Sequence, residues 1–179
     1  PCPTCPIGCT HISVVREGKW AGFSCKGPEY ETVYAFGSQC GVSDREVIAA
    51  ASYLCDLYGL DTISCGNTIG FLMECYERGL ISKEELDGIE LRFGNGEALL
   101  EAVMRAGSVE GRLGRLVANG VKRASKVIGR GSEKFAMHVK GLELPAYDPR
   151  AGFAQGLAYA TADRGGDHIR PFAFEPVLG

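Results

Sequence analysis

A chain of 179 residues, 45% hydrophobic and 23% charged, has the composition of a soluble globular protein and enough mass for a real core. Its formal net charge of −3 argues against a nucleic-acid surface, and no window approaches the roughly 20 apolar residues of a membrane span. Cysteine is abundant, at positions 2, 5, 9, 25, 40, 55, 65 and 75. A disulfide framework is one reading. Against it, Cys2, Cys5 and Cys9 are too close for mutual bridges. Cys55, Cys65 and Cys75 fall in helical, apolar patterns, where a free cysteine is a small buried hydrophobe. A reducing, cytoplasmic compartment is expected.

The elements follow in chain order. Cys2-Pro3-Thr4-Cys5-Pro6-Ile7-Gly8-Cys9 is a tight C-x2-C-x3-C loop, with Gly8 permitting a sharp turn before the third thiol. Ile12–Arg16 is the best strand candidate, before a Glu17-Gly18 turn. Ser43-Asp44-Arg45-Glu46 has the form of a capping box with Ser43 at the N-cap. The helix it opens carries Val47, Ala51, Leu54 and Tyr58 on one stripe and ends at Gly59. Asp61 caps a second helix through Cys75, whose interior Gly66 and Gly70 imply close approach of another helix or of a cofactor. Short helices are predicted from Ser82 and over Glu97–Arg105. A longer one is predicted over Leu113–Val127, with Lys122, Arg123 and Lys126 on the wet side. Ser132–Val139 is ambiguous. Asp148-Pro149 is read as an N-cap with proline at the first helical position, opening a helix through Thr161. The expected class is all-α and multihelical, with little or no β-strand, in a single helical domain over 1–179.

Four groups of residues could carry chemistry. Three thiols on one loop suit a soft metal centre, either an iron–sulfur cluster or a zinc knuckle completed by Cys25 or His11. Asp56 and Asp61 flank a helix–helix turn. Such acceptor-only carboxylates suit a ligand edge rich in N–H groups, or they are a surface charge and a helix cap. Arg164-Gly165-Gly166-Asp167-His168 lets backbone, a cation and an imidazole approach a ligand, or it is a solvated loop. Glu29 and Glu31, on the same side of a strand or loop, offer a general base if buried and an exposed acidic pair if not.

Five stretches occur in order: Cys-x-x-Cys-Pro-Ile-Gly-Cys, Gly-Pro-Glu-Tyr-Glu-Thr, Asp-Leu-Tyr-Gly-Leu-Asp-Thr-Ile-Ser, Val-Lys-Gly-Leu-Glu-Leu-Pro-Ala-Tyr-Asp-Pro-Arg and Tyr-Ala-Thr-Ala-Asp-Arg-Gly-Gly-Asp-His. With them the chain resembles the tungsten-containing aldehyde ferredoxin oxidoreductases, from Cys2 to His168. The resemblance implies that Cys2, Cys5 and Cys9 bind a [4Fe–4S] cluster. It implies that Asp56, Leu60, Asp61, Arg164 and Gly165 contact a tungsten bis-pterin (tungstopterin). Glu29 or Glu31, and His168, would lie near the metal. The implied reaction is oxidation of an aldehyde plus water to a carboxylic acid, with electrons passing to ferredoxin. The chain looks like the central part of the helical C-terminal region of a longer enzyme. Its partners would be ferredoxin, an aldehyde and the remaining segments of that enzyme, and it is expected to be inactive alone. The rival reading is a non-catalytic iron–sulfur or zinc module for electron transfer or structure.

Overall fold

The computed structural model describes residues 3–9 and 11–170. Among them are seven α-helices: α1 (Tyr30–Phe36), α2 (Arg45–Tyr58), α3 (Thr62–Glu77), α4 (Gly96–Ser108), α5 (Gly111–Ala118), α6 (Val121–Ile128) and α7 (Phe153–Thr161). Two antiparallel hairpins accompany them, β1 (Ile12–Val14) with β2 (Ser24–Lys26), and β3 (His138–Val139) with β4 (Leu142–Glu143). The fold is therefore mostly helical rather than all-α. The second hairpin has only two residues per strand, too few for an alternating pattern to show. Its turn residues Lys140 and Gly141 both take positive φ, as a two-residue hairpin turn requires. No helix among the described residues is long and apolar enough to cross a membrane.

Helix α3 is the centre of the core. It is buried on every side, with Ile69, Leu72, Met73 and Cys75 fully enclosed, and a helix apolar all round must be surrounded. Helices α1, α4, α5 and α6 and strand β4 surround it. Val47, Ala51 and Leu54 of α2 are buried as the stripe predicts. Tyr58, at the end of that stripe, is exposed, with one side of its ring against Gly107 of α4, where a Cβ would come within 2.2 Å of it.

The helix expected from Ser82 is a single 3-10 turn, Glu84–Leu86, and three further boundaries differ for reasons that can be named. The N-cap of α2 is Asp44, not Ser43; its carboxylate accepts from the Glu46 and Val47 amides. The long helix over Leu113–Val127 is two helices, broken at Asn119-Gly120, with Gly120 at φ 74°. The break leaves Val127 exposed and frees the Val121 N–H, which donates to Glu143 Oε1 at 2.7 Å. Glu143 is buried, so its carboxylate needs such donors, and a helix start supplies them. Asp87 does the same for α5, accepting from Leu113 N at 2.8 Å. Lastly, Asp148 does not open α7. It accepts from the Arg150 amide at 2.8 Å and binds the Arg150 side chain, closing a local turn, and α7 begins at Phe153.

Gly66 is the tightest point between α1 and α3. A Cβ there would lie 2.6 Å from the Ala35 carbonyl oxygen and 2.7 Å from the Ala35 Cβ. Gly66→Ala forces the helices apart, and overpacking of about 1–3 kcal/mol outweighs the propensity gain. We expect Tm to fall by about 2–8 °C. Gly70→Ala, whose nearest neighbours are the Gln39 side chain and carbonyl at 3.2–3.3 Å, should be tolerated better; thermal melts of both variants test the difference.

Candidate active site and cofactor surface

Glu31 lies in the first turn of α1, where a carboxylate is favoured by the helix dipole. Its Oε2 accepts from the Ala146 N–H at 2.8 Å. Its Oε1 is buried, completes no hydrogen bond, and lies 3.8 Å from His168 Nε2. The Glu31 and His168 side chains are 13% and 17% exposed. The Tyr147 ring stacks on the His168 imidazole with centroids 5.6 Å apart, and Tyr30 lies 6.0 Å beyond it. Burial pushes the Glu31 carboxyl above its usual range, while the Ala146 N–H, His168 and Tyr147 pull it part of the way back. A desolvated carboxylate with raised pKa beside an imidazole is suited to proton transfer. Glu29 lies apart from this pair. It is exposed at the N-cap of α1, so the two glutamates do not share a side as a strand would have them.

One hydrogen bond joins this pair to the α2–α3 turn. Thr32 Oγ1, next to Glu31, meets Thr62 Oγ1, next to Asp61, at 2.9 Å. Asp61 caps α3 as expected, with Oδ2 accepting from Ser64 N at 2.7 Å, and leaves Oδ1 unengaged. Gly59 turns the chain at φ 68°, and Leu60 packs against the core. Asp56 is exposed in the last turn of α2, with neither a hydrogen bond nor an ion pair among the described residues. A carboxylate at a helix C-terminus opposes the dipole, so the fold gains nothing from it there.

The loop after α7 brings His168 to Glu31. Arg164 is exposed and pairs with buried Asp167 at 3.4 Å, and Asp167 accepts from the Ile169 amide at 2.9 Å. Gly165 takes φ 107°, and a Cβ there would meet the Val139 carbonyl oxygen at 2.3 Å. The close approach expected at this glycine is thus made to β3 of the same chain. Lys140 Nζ donates to the Ala162 carbonyl at 2.7 Å, tying the loop to the hairpin turn.

Cys5 and Cys9 are exposed free thiols on the N-terminal loop, which turns at Thr4 and Gly8 with positive φ. Cys2 lies outside the described residues. Two accessible thiols free of hydrogen bonds are a donor set that fits a thiolate-held cluster. No group of three His, Cys, Asp or Glu in metal-binding arrangement occurs among the described residues. Of the remaining cysteines and His11, Cys40 and Cys25 are withdrawn from the surface, and His11 is exposed beside the loop. Cys40 is fully buried, its thiol donates to the Ala35 and Gly66 carbonyls, and burial pushes its pKa up to about 12. Cys25 is buried beside Val15 and Ala49, with its pKa raised by burial. His11 presents Nδ1 to the Cys9 carbonyl at 3.5 Å. Cys55, Cys65 and Cys75 are free and buried, in line with the apolar pattern around them.

Sequence reasoning missed Tyr147 and Tyr159 around Glu31. Tyr147 lies inside the Leu-Pro-Ala-Tyr-Asp-Pro-Arg stretch, so the signal was present without a role attached to it.

The Glu31–His168 pair, the α2–α3 turn with Asp56 and Asp61, and the loop bearing Cys5 and Cys9 thus lie on one largely helical chain. The family model described as aldehyde ferredoxin oxidoreductase, domains 2 & 3, matches residues 1–178. The chain is 42% identical over 182 residues to the tungsten-containing aldehyde ferredoxin oxidoreductase of Pyrococcus furiosus, and 41% over 181 residues to that of Thermococcus kodakarensis. Each match takes in 100% of this chain and 29% of the relative. It is also 36% identical over 181 residues to the aliphatic sulfonate oxidoreductase, WOR-like subunit, of Pyrococcus furiosus, covering 98% of this chain and 28% of that protein. The chain belongs to the aldehyde ferredoxin oxidoreductase family, and it spans less than a third of the length of these relatives.

Because burial raises the Glu31 pKa, the folded protein holds that proton more tightly than the unfolded chain. The Glu31 contribution to stability is therefore fullest below the unfolded value of about 4.3, and is lost as pH rises through the folded pKa. Glu31→Gln keeps an acceptor for Ala146 N and removes the charge. Its Tm relative to wild type should rise between pH 4 and pH 7; a constant difference across that range would contradict the desolvation account.

Proposed function

We propose that this chain is the part of a tungstopterin enzyme that supplies the proton-transfer pair, one pterin-binding turn and the ligands of a [4Fe–4S] cluster. The reaction converts an aldehyde and a water to a carboxylic acid, two protons and two electrons. The observation that carries the proposal is the meeting of Glu31 and His168, from opposite ends of the chain, in a desolvated pocket. Of the two glutamates near the start of α1, Glu31 takes the role of base, since Glu29 is exposed.

When bound, tungstopterin accepts the two electrons, and the cluster passes them singly to ferredoxin. The chain's own residues do the rest. Cys2, Cys5 and Cys9 would hold the cluster through their thiolates. Asp56 and the unengaged Oδ1 of Asp61 accept hydrogen bonds from pterin N–H groups, Leu60 packs beside them, and Arg164 with Gly165 lines the same surface. Glu31 takes the proton of the attacking water at Oε1. His168 Nε2 donates to the substrate oxygen as negative charge develops there. Tyr147 fixes the imidazole plane by stacking. The other walls of the cofactor site, and the substrate pocket, belong to the remaining segments of the enzyme, so the isolated chain is inactive.

Two substitutions in the complete enzyme test this. Glu31→Gln should lower kcat by about 100-fold or more with iron and tungsten contents kept; near-normal turnover would remove the base role. Asp56→Asn should lower tungsten per protein roughly tenfold, since it removes a charge-assisted acceptor. Its Tm should hold or rise, because the helix C-terminus loses an unfavourable charge. Full tungsten occupancy would leave Asp56 as a surface charge only.

A further inference from the structure

The hairpin of β1 and β2 is paired on one side only. The Val15 N–H donates to the Phe23 carbonyl at 2.9 Å, and the Gly27 N–H donates to the His11 carbonyl at 2.8 Å. Backbone groups alternate sides along an antiparallel ladder, so Ile12 and Val14 turn their N–H and C=O groups away from β2. Among the described residues nothing pairs with them there. Their side chains share one face and are 75% and 55% exposed. An open apolar strand edge is a template for a further strand, and folded proteins seldom leave one bare.

Beside this edge runs a groove of about 550 Å³. One wall is β1 with its flanking residues. The other is Val33 of α1, itself exposed, with Ile48 and Ala49 of α2. Arg16 and Arg45 also line it, and neither makes an ion pair or a side-chain hydrogen bond among the described residues. Glu46, the acid on this rim, turns its carboxylate toward Gly18 instead. Arg45 stands in the first turn of α2, where the helix dipole disfavours a cation, so α2 gains nothing from it there. An occupant that satisfies all of these groups is an extended segment. Its backbone pairs with Ile12 and Val14, its apolar side chains enter the groove, and its carboxylates meet the two arginines.

We infer that the free edge of β1 is a strand-addition site, taken by an extended apolar and acidic segment from the remainder of the longer enzyme. This chain spans 29% of the Pyrococcus furiosus relative, so most of such an enzyme lies outside it. The site starts at His11, two residues after Cys9, and the added strand therefore runs next to the exposed thiol loop. The inference rests on reading the chain as part of a longer enzyme, and not on the role given to Glu31.

The test uses the complete enzyme. Hydrogen exchange of the Ile12 and Val14 amides, resolved by mass spectrometry, should be about 100-fold or more slower than in an unstructured peptide of the same sequence. With p-benzoylphenylalanine in place of Ile12, irradiation should cross-link position 12 to one peptide of the same polypeptide outside residues 1–179. Mixing isotope-labelled and unlabelled enzyme separates that result from a link to a second copy. Val14→Pro removes an outward N–H and leaves the ladder bonds in place. The Ile12 amide should then exchange about tenfold faster, while the Val15 and Gly27 amides keep their wild-type rates. If Val14→Pro disturbs those two amides, Val14→Asp serves instead, since it keeps the N–H and sets a charge against the carboxylates of the added strand. Free-peptide exchange at Ile12 and Val14 would overturn the inference. So would the absence of a cross-link, or cross-links only to residues 1–179, to a second copy or to a separate protein. Near-normal turnover in Glu31→Gln would remove the base role and leave these outcomes unchanged.

Discussion

The structure depends on how closely α1 lies against α3. Gly66 has no side chain because the Ala35 backbone occupies that space, and Thr32 and Thr62 are joined across the same seam. That contact joins the first turn of α1, which carries Glu31, to the start of α3, which Asp61 caps. The α1 turn that carries the proposed base and the α2–α3 turn that carries Asp61 are thereby joined, although 30 residues separate Thr32 from Thr62. A side chain at position 66 would separate the two helices and with them the two halves of the proposed site.

Buried carboxylates shape the rest of the fold. Glu143 draws on the start of α6 and splits what the periodicity predicts as one helix. Asp87, though exposed, caps α5 in the same way. Asp167 fixes the loop that delivers His168. These groups obtain hydrogen bonds from backbone N–H donors, which makes their burial tolerable. Glu31 is different, because only one of its two oxygens is matched. Structural carboxylates in this chain are satisfied, and the one assigned to chemistry is left partly unsatisfied.

Helix α7 and the cysteine loop bear on how this chain meets the rest of an enzyme. Phe153 and Leu157 stand outward, as do Cys5, Cys9 and Asp56. None of these side chains contributes to the core, and α2 and α7 would be no less stable without them at those positions. A chain spanning less than a third of its relatives can present side chains that stabilise only the longer assembly.

By itself the sequence determined the local chemistry. It specified the three-thiol loop, the stripe of α2, the turn at Gly59, the Asp61 cap and the small-residue seam on α3, because each is set by neighbours within a few positions. It marked Glu31, Asp56 and His168 as candidates through motifs, without saying which were buried. Tertiary structure decided what depends on distant partners. It buried Glu31 and exposed Glu29, ended one helix early for the sake of Glu143, made Gly165 a packing residue against Val139, and turned Gln155 inward. Each of these follows from a desolvated polar group finding, or lacking, a hydrogen-bond partner far away in the chain, and no local pattern of residues encodes that.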